Sequence, residues 1–82
     1  KNMSIYNAIN IDYLKFSNLN INDIESDLNL SKFISLVYLD LCFNKIQVIK
    51  SRYFSSSKKL NTLLLFGNRI IFIEENSFNS LN

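Results

Sequence analysis

Histidine and proline are absent from this chain, and glycine and cysteine occur once each, as Gly67 and Cys42. Each absence excludes something. Without His there is no Cys/His cluster of the kind that holds zinc. General acid–base work at neutral pH also loses its commonest group. A single Cys cannot form a disulfide within the chain. Its thiol would need nearby cations or a helix N-terminus to become reactive. The charges expected nearest to Cys42, Lys15 and Asp40, offset each other, so it reads as a passive small residue. With one Gly and no Pro, tight turns fall to Asn, Ser and Asp. Unbroken apolar runs such as Leu63 to Phe66 fall far short of the roughly 20 residues that span a bilayer. No secretory signal is visible. Charge of one sign is missing too: nine Lys and Arg against seven Asp and Glu leave a net +2. No basic run is long enough for a nucleic-acid arm.

What is present is an apolar chain, 48% hydrophobic over 82 residues. That length allows one domain. A globule this small buries only about 60% of its unfolded surface. The stretch "LVYLDLCFNKIQVI", Leu36 to Ile49, has a rhythm that fits neither a plain strand nor an amphipathic helix. It alternates briefly at Leu39 and Leu41, then changes at Asn44, Ile46 and Ile49.

The rhythm recurs. Leu36, Leu39, Leu41, Asn44, Ile46, Ile49 and Phe54 fall on Leu60, Leu63, Leu65, Asn68, Ile70, Ile73 and Phe78 when the chain is slid along by 24 residues. A shift back by 25 finds a weaker copy at Ile11, Leu14, Phe16, Ile21 and Ile24. There Leu19 stands where the Asn should be, which predicts an apolar plug in a degenerate unit. The extra residue predicts a local bulge around Glu25–Asn29. A fixed period of this size marks a repeat architecture. Each unit predicts one short strand, roughly Tyr13–Ser17, Tyr38–Cys42 and Thr62–Phe66, followed by a turn at Asn44 or Asn68. A buried Asn amide there can bond backbone groups that the turn leaves unpaired.

The units "LVYLDLCFNKIQVIKSRYFSSSKK" and "LNTLLLFGNRIIFIEENSFNSLN" resemble the leucine-rich repeat family, and their length resembles its 24-residue typical subclass. The resemblance implies an α/β fold: a right-handed solenoid with a short parallel β-sheet on its concave face and an irregular convex side. It divides the chain into a partial unit at 1–10 and repeats at about 11–35, 36–59 and 60–82. No unit buries its apolar face alone, and terminal units need polar outer faces. Leu63, Leu65, Ile70 and Ile73 would line an open edge, so the chain is expected to be a fragment of a longer solenoid, or to have its ends covered by partners.

The resemblance places binding on the concave strand face. The candidates are Tyr13 and Lys15, then Tyr38 and Asp40, then Thr62, Leu64 and Phe66. Phe43 and Gly67 lie just beyond the strand ends. Asn44 and Asn68 form a structural asparagine ladder. Ile71–Phe72 is a second apolar patch. Asn2 and Asn29 head N-x-S sequons and are glycosylation candidates. No phosphate loop, metal spacing or nucleophile elbow is present. The expected function is therefore protein–protein recognition and not catalysis, with no cofactor, metal or nucleic acid. The resemblance points to part of the ectodomain of an extracellular receptor, adhesion or innate-immune protein, at the cell surface, with a protein ligand or co-receptor as partner. The alternatives are a cytoplasmic scaffold and a segment that self-associates through its open ends.

Overall fold

The computed structural model describes residues 11–81. Five short strands, one helix and one 3-10 turn follow in order: β1 (Tyr13–Lys15), α1 (Ile24–Leu28), the 3-10 turn (Leu30–Lys32), β2 (Tyr38–Asp40), β3 (Val48–Ile49), β4 (Thr62–Leu64) and β5 (Phe72–Ile73). Strands β1, β2 and β4 form a parallel three-stranded sheet, and β3 pairs with β5 in a second, two-stranded one. The register follows the repeat. Leu14, Leu39 and Leu63 are partners across the first sheet, and Ile49 meets Ile73 in the second. Parallel neighbours need a long crossover, and here each crossover is the remainder of one unit.

The strands are three residues long, shorter than the five expected. Backbone pairing still runs on: Phe43 N–H donates to the Phe66 carbonyl at 2.8 Å, and Asn18 N–H to the Cys42 carbonyl at 3.2 Å. What ends each strand is the turn. Asn18, Phe43 and Gly67, one position before the ladder site in each unit, all take positive φ, at 60°, 58° and 80°. Asn and Gly enter this region readily; a bulky residue does not.

The core lies between the two sheets and the turns. Leu36, Leu39, Leu41, Ile46, Ile49, Phe54 and Leu60 are fully buried. Each such side chain contributes about 1.5–3 kcal/mol on leaving water. Burial falls off toward β4 and β5. Leu63, Leu65 and Ile70 are only partly buried, and Ile73 is half-exposed.

The segments between the main strands are less irregular than expected. The residues where a bulge was expected fold as α1. Asp23 caps it by accepting the Glu25 N–H at 3.0 Å, and Asn29 ends it with φ 54°. The Asp27 carboxylate reaches back to the N–H groups of Asn22 and Asp23. Acidic residues at a helix start satisfy free N–H groups and oppose the dipole. Leu19 is no plug: it is more than half-exposed. Only its N–H faces the ladder, donating to Asn44 Oδ1 at 2.9 Å.

Candidate functional site

Successive residues of a strand point to opposite faces. With Leu14, Leu39 and Leu63 turned to the core, the outer face of the sheet carries Tyr13, Tyr38 and Thr62 in one row and Lys15, Asp40 and Leu64 in the next. The structure therefore brings six of the candidate residues onto one surface. Phe66 lies two residues beyond β4, on the same side of the alternation.

The tyrosines of the first row stack. Their ring centroids are 4.2 Å apart and nearly parallel. Lys15 Nζ lies 5.9 Å from the centroid of the Tyr13 ring. Desolvation, then the Tyr13 hydroxyl, raises the Tyr38 phenol above its ordinary value, so it stays neutral at physiological pH. Thr62 turns its hydroxyl to Asn61 Oδ1. Asp40 accepts the Cys42 N–H at 2.9 Å. That bond, and then the charge of Lys15, holds its carboxyl below the usual range. Desolvation and the neighbouring Asp40 push the Cys42 thiol up, which is the opposite of a reactive thiolate.

At the exit of the strands the surface becomes aromatic. Phe43 and Phe66 meet edge to face at 5.4 Å. Phe66 is 73% exposed, and Phe43 is half-exposed. The Phe43 ring lies over Gly67, so close that a Cβ there would clash with it. Gly67 thus serves both its own turn and this close approach. Phe43 holds a backbone conformation that costs a non-Gly residue roughly 1–2 kcal/mol.

Beneath the turns lie the two asparagines. Asn44 is buried. Its Oδ1 accepts from Leu19 and Ile21 N–H, and its Nδ2 donates to the carbonyls of Phe16 and Leu41. Asn68 accepts from Ile46 N–H at 3.0 Å and donates to Leu41 and Leu65 carbonyls. Each amide joins its own unit to the one before.

A polar cluster elsewhere carries no periodic sequence signal. Tyr53 O–H donates to Asp23 Oδ1 at 2.8 Å, and Arg52 forks onto the Glu25 carboxylate. Glu74 accepts the Ser51 N–H. The exposed sequon residue Asn29 accepts from Ser31 Oγ at 2.7 Å, whereas Asn2 lies outside the described residues. Ile71, Phe72, Ile73 and Phe78 expose apolar surface along the β5 side.

The described residues contain no group of His, Cys, Asp and Glu suited to a metal. No helix among them is long and apolar enough to cross a membrane. A sequence model of the leucine rich repeat family matches residues 34–82. No curated protein and no solved structure matches the chain. Domains of the matched family generally act in protein–protein interaction and are typically non-enzymatic.

Proposed function

The chain belongs to the leucine-rich repeat family, and from that premise we propose that it is a protein-recognition segment. In this reading it is a slice of a right-handed solenoid built from 24-residue units of the typical subclass. It belongs to the ectodomain of an extracellular receptor, adhesion or innate-immune protein, and it binds a protein ligand or co-receptor through the outer, concave face of β1, β2 and β4. The observation that carries the reading is the aromatic surface on that face. Tyr13 stacks on Tyr38, and Phe43 meets Phe66, while Tyr13, Phe43 and Phe66 each keep about half or more of their surface open to solvent. Exposed clusters of this kind mark interaction sites, and Tyr and other large side chains dominate binding hot spots. The exposed Asn29–Ser31 pair supports a secreted setting, as an acceptor for an N-linked glycan.

The experiment is capture of cell-surface proteins on the immobilised chain, compared across three variants. Tyr38→Ala and Phe66→Ala should each weaken capture of a given partner strongly, and Lys50→Ala should not. Equal effects of all three would reject the face.

A second reading rests on a different observation. Among the described residues, strands β4 and β5 are the last in their sheets, and Ile71, Phe72 and Ile73 are exposed beside them. Unpaired strand edges invite pairing, so this side supports self-association. Light scattering over a range of concentrations separates the two: a monomer at all concentrations leaves only the outer face.

A further inference from the structure

Phe43 occupies a position that its own chemistry disfavours. The equivalent residues of the neighbouring units are Asn18 and Gly67, types suited to positive φ, yet Phe43 holds φ 58° and leaves half its surface in water. Local propensity does not account for an aromatic there, and burial against Gly67 and Phe66 covers only about half of its surface. Strain kept at an exposed side chain points to use. Gly67 leaves the room that the Phe43 ring fills, and Phe66 braces the ring edge to face.

Two residues further along each unit stand Lys45 and Arg69, both exposed. Among the described residues neither makes a side-chain ion pair. The acid nearest in sequence to Lys45, Asp40, has its carboxylate turned onto the Cys42 N–H and balanced by Lys15, and the one nearest to Arg69, Glu74, accepts the Ser51 N–H. The strand exit therefore carries an exposed aromatic pair, with an exposed cation two residues past Phe43 in one unit and two past Gly67 in the next. Leu19, at the ladder position of the first unit, is also exposed.

Resting on the recognition reading above, the geometry points to a specific partner chemistry. Phe43 and Phe66 form the anchor for a protein segment that inserts an apolar or aromatic side chain and carries Asp or Glu within a few residues, set against Lys45 and Arg69. The cations steer the approach and fix its register, and the aromatic pair supplies most of the affinity.

The test is panning of a randomised peptide-display library on the full 82-residue chain. The enriched peptides should join an apolar residue to nearby carboxylates. A synthetic copy of such a peptide should lose about tenfold or more in affinity on Phe66→Ala and on Phe43→Asn. It should also weaken with salt, and with Lys45→Glu and Arg69→Glu. Phe43→Asn is the informative variant, because Asn suits the backbone. It should hold or raise Tm while binding falls. A lower Tm with affinity retained would make Phe43 a structural prop and overturn the assignment. Enriched peptides lacking carboxylates would overturn the acidic partner. Peptides indifferent to Phe43 and Phe66 but lost on Tyr38→Ala would overturn this anchor and leave the outer-face reading standing. Enrichment no better than on an unrelated protein of equal charge would overturn both.

Discussion

The Nδ2 of Asn44 donates to the carbonyl of Phe16 across 2.8 Å, a hydrogen bond between residues 28 apart in the chain. It ties one unit to the unit before, and the same amide also serves the N–H groups of Leu19 and Ile21. Replacing Asn44 by Ala leaves these groups in the interior without partners, a penalty of about 3 kcal/mol. Asn68 sits nearer the surface, where water can substitute, so Asn68→Ala should cost less. Urea unfolding of the two variants measures both. Equal, small losses would show that the amides are not joints between units.

The same position in consecutive units should differ in sensitivity. Ile49 is fully buried and its sheet partner Ile73 is half-exposed. Ile49→Val should therefore cost about 1 kcal/mol, within the usual range for a buried methylene. Ile73→Val should stay within about 0.5 kcal/mol. Equal costs in denaturant titrations would mean that the β5 side is covered in solution.

Gly67→Ala should destabilise by about 1 kcal/mol or more, because φ is +80° and the new Cβ meets the Phe43 ring. In the double variant Gly67→Ala with Phe43→Asn the steric part disappears and the backbone part remains. The size of the recovery in Tm reads the Phe43–Gly67 contact. Additive effects would show that the ring is not packed there.

The Tyr53–Asp23 bond predicts both arms of a pH profile. The Tyr53 hydroxyl, then the Glu25 N–H and Lys50, hold the Asp23 carboxyl below its ordinary value of 3.8. Its contribution is present above that value and is lost as pH falls through the depressed one. Burial, then Asp23, pushes the Tyr53 phenol up to about 12. That contribution is complete below the ordinary phenol value of 10 and is lost as pH rises toward 12. Tyr53→Phe should flatten both losses in Tm measured against pH. An unchanged profile would place the coupling elsewhere.

Much of the fold was legible in the sequence, because the repeat puts apolar residues at fixed offsets and a period needs no other chain for comparison. The Leu14–Leu39–Leu63 register and the positions of Asn44 and Asn68 at the turns follow from the 24- and 25-residue shifts. Strand length was not legible. The strands end where Asn18, Phe43 and Gly67 turn left-handed, and Phe43 carries no sign of that conformation in its type. The α1 helix was hidden because five residues show too little helical periodicity, although the Asp23 cap and Asp27 were there to be read. Leu19 misled by type: an apolar residue in a ladder position suggested burial, but only its N–H is held. The Arg52–Glu25 and Tyr53–Asp23 pairs join positions of different units where the repeat imposes no pattern. On the outer face the rows of candidates follow from register. The tyrosine stack and the Phe43–Phe66 contact depend on rotamers that spacing does not specify.

In the function we propose, the outer face of the β1–β2–β4 sheet, with its aromatic exit, is the recognition surface. Hydrogen–deuterium exchange of the chain with and without a captured partner tests it most directly. Recognition through this face predicts slowed exchange over residues 38–43 and 62–68, with residues 50–59 unchanged. Protection confined to residues 71–78 would contradict it and assign binding to the β5 side.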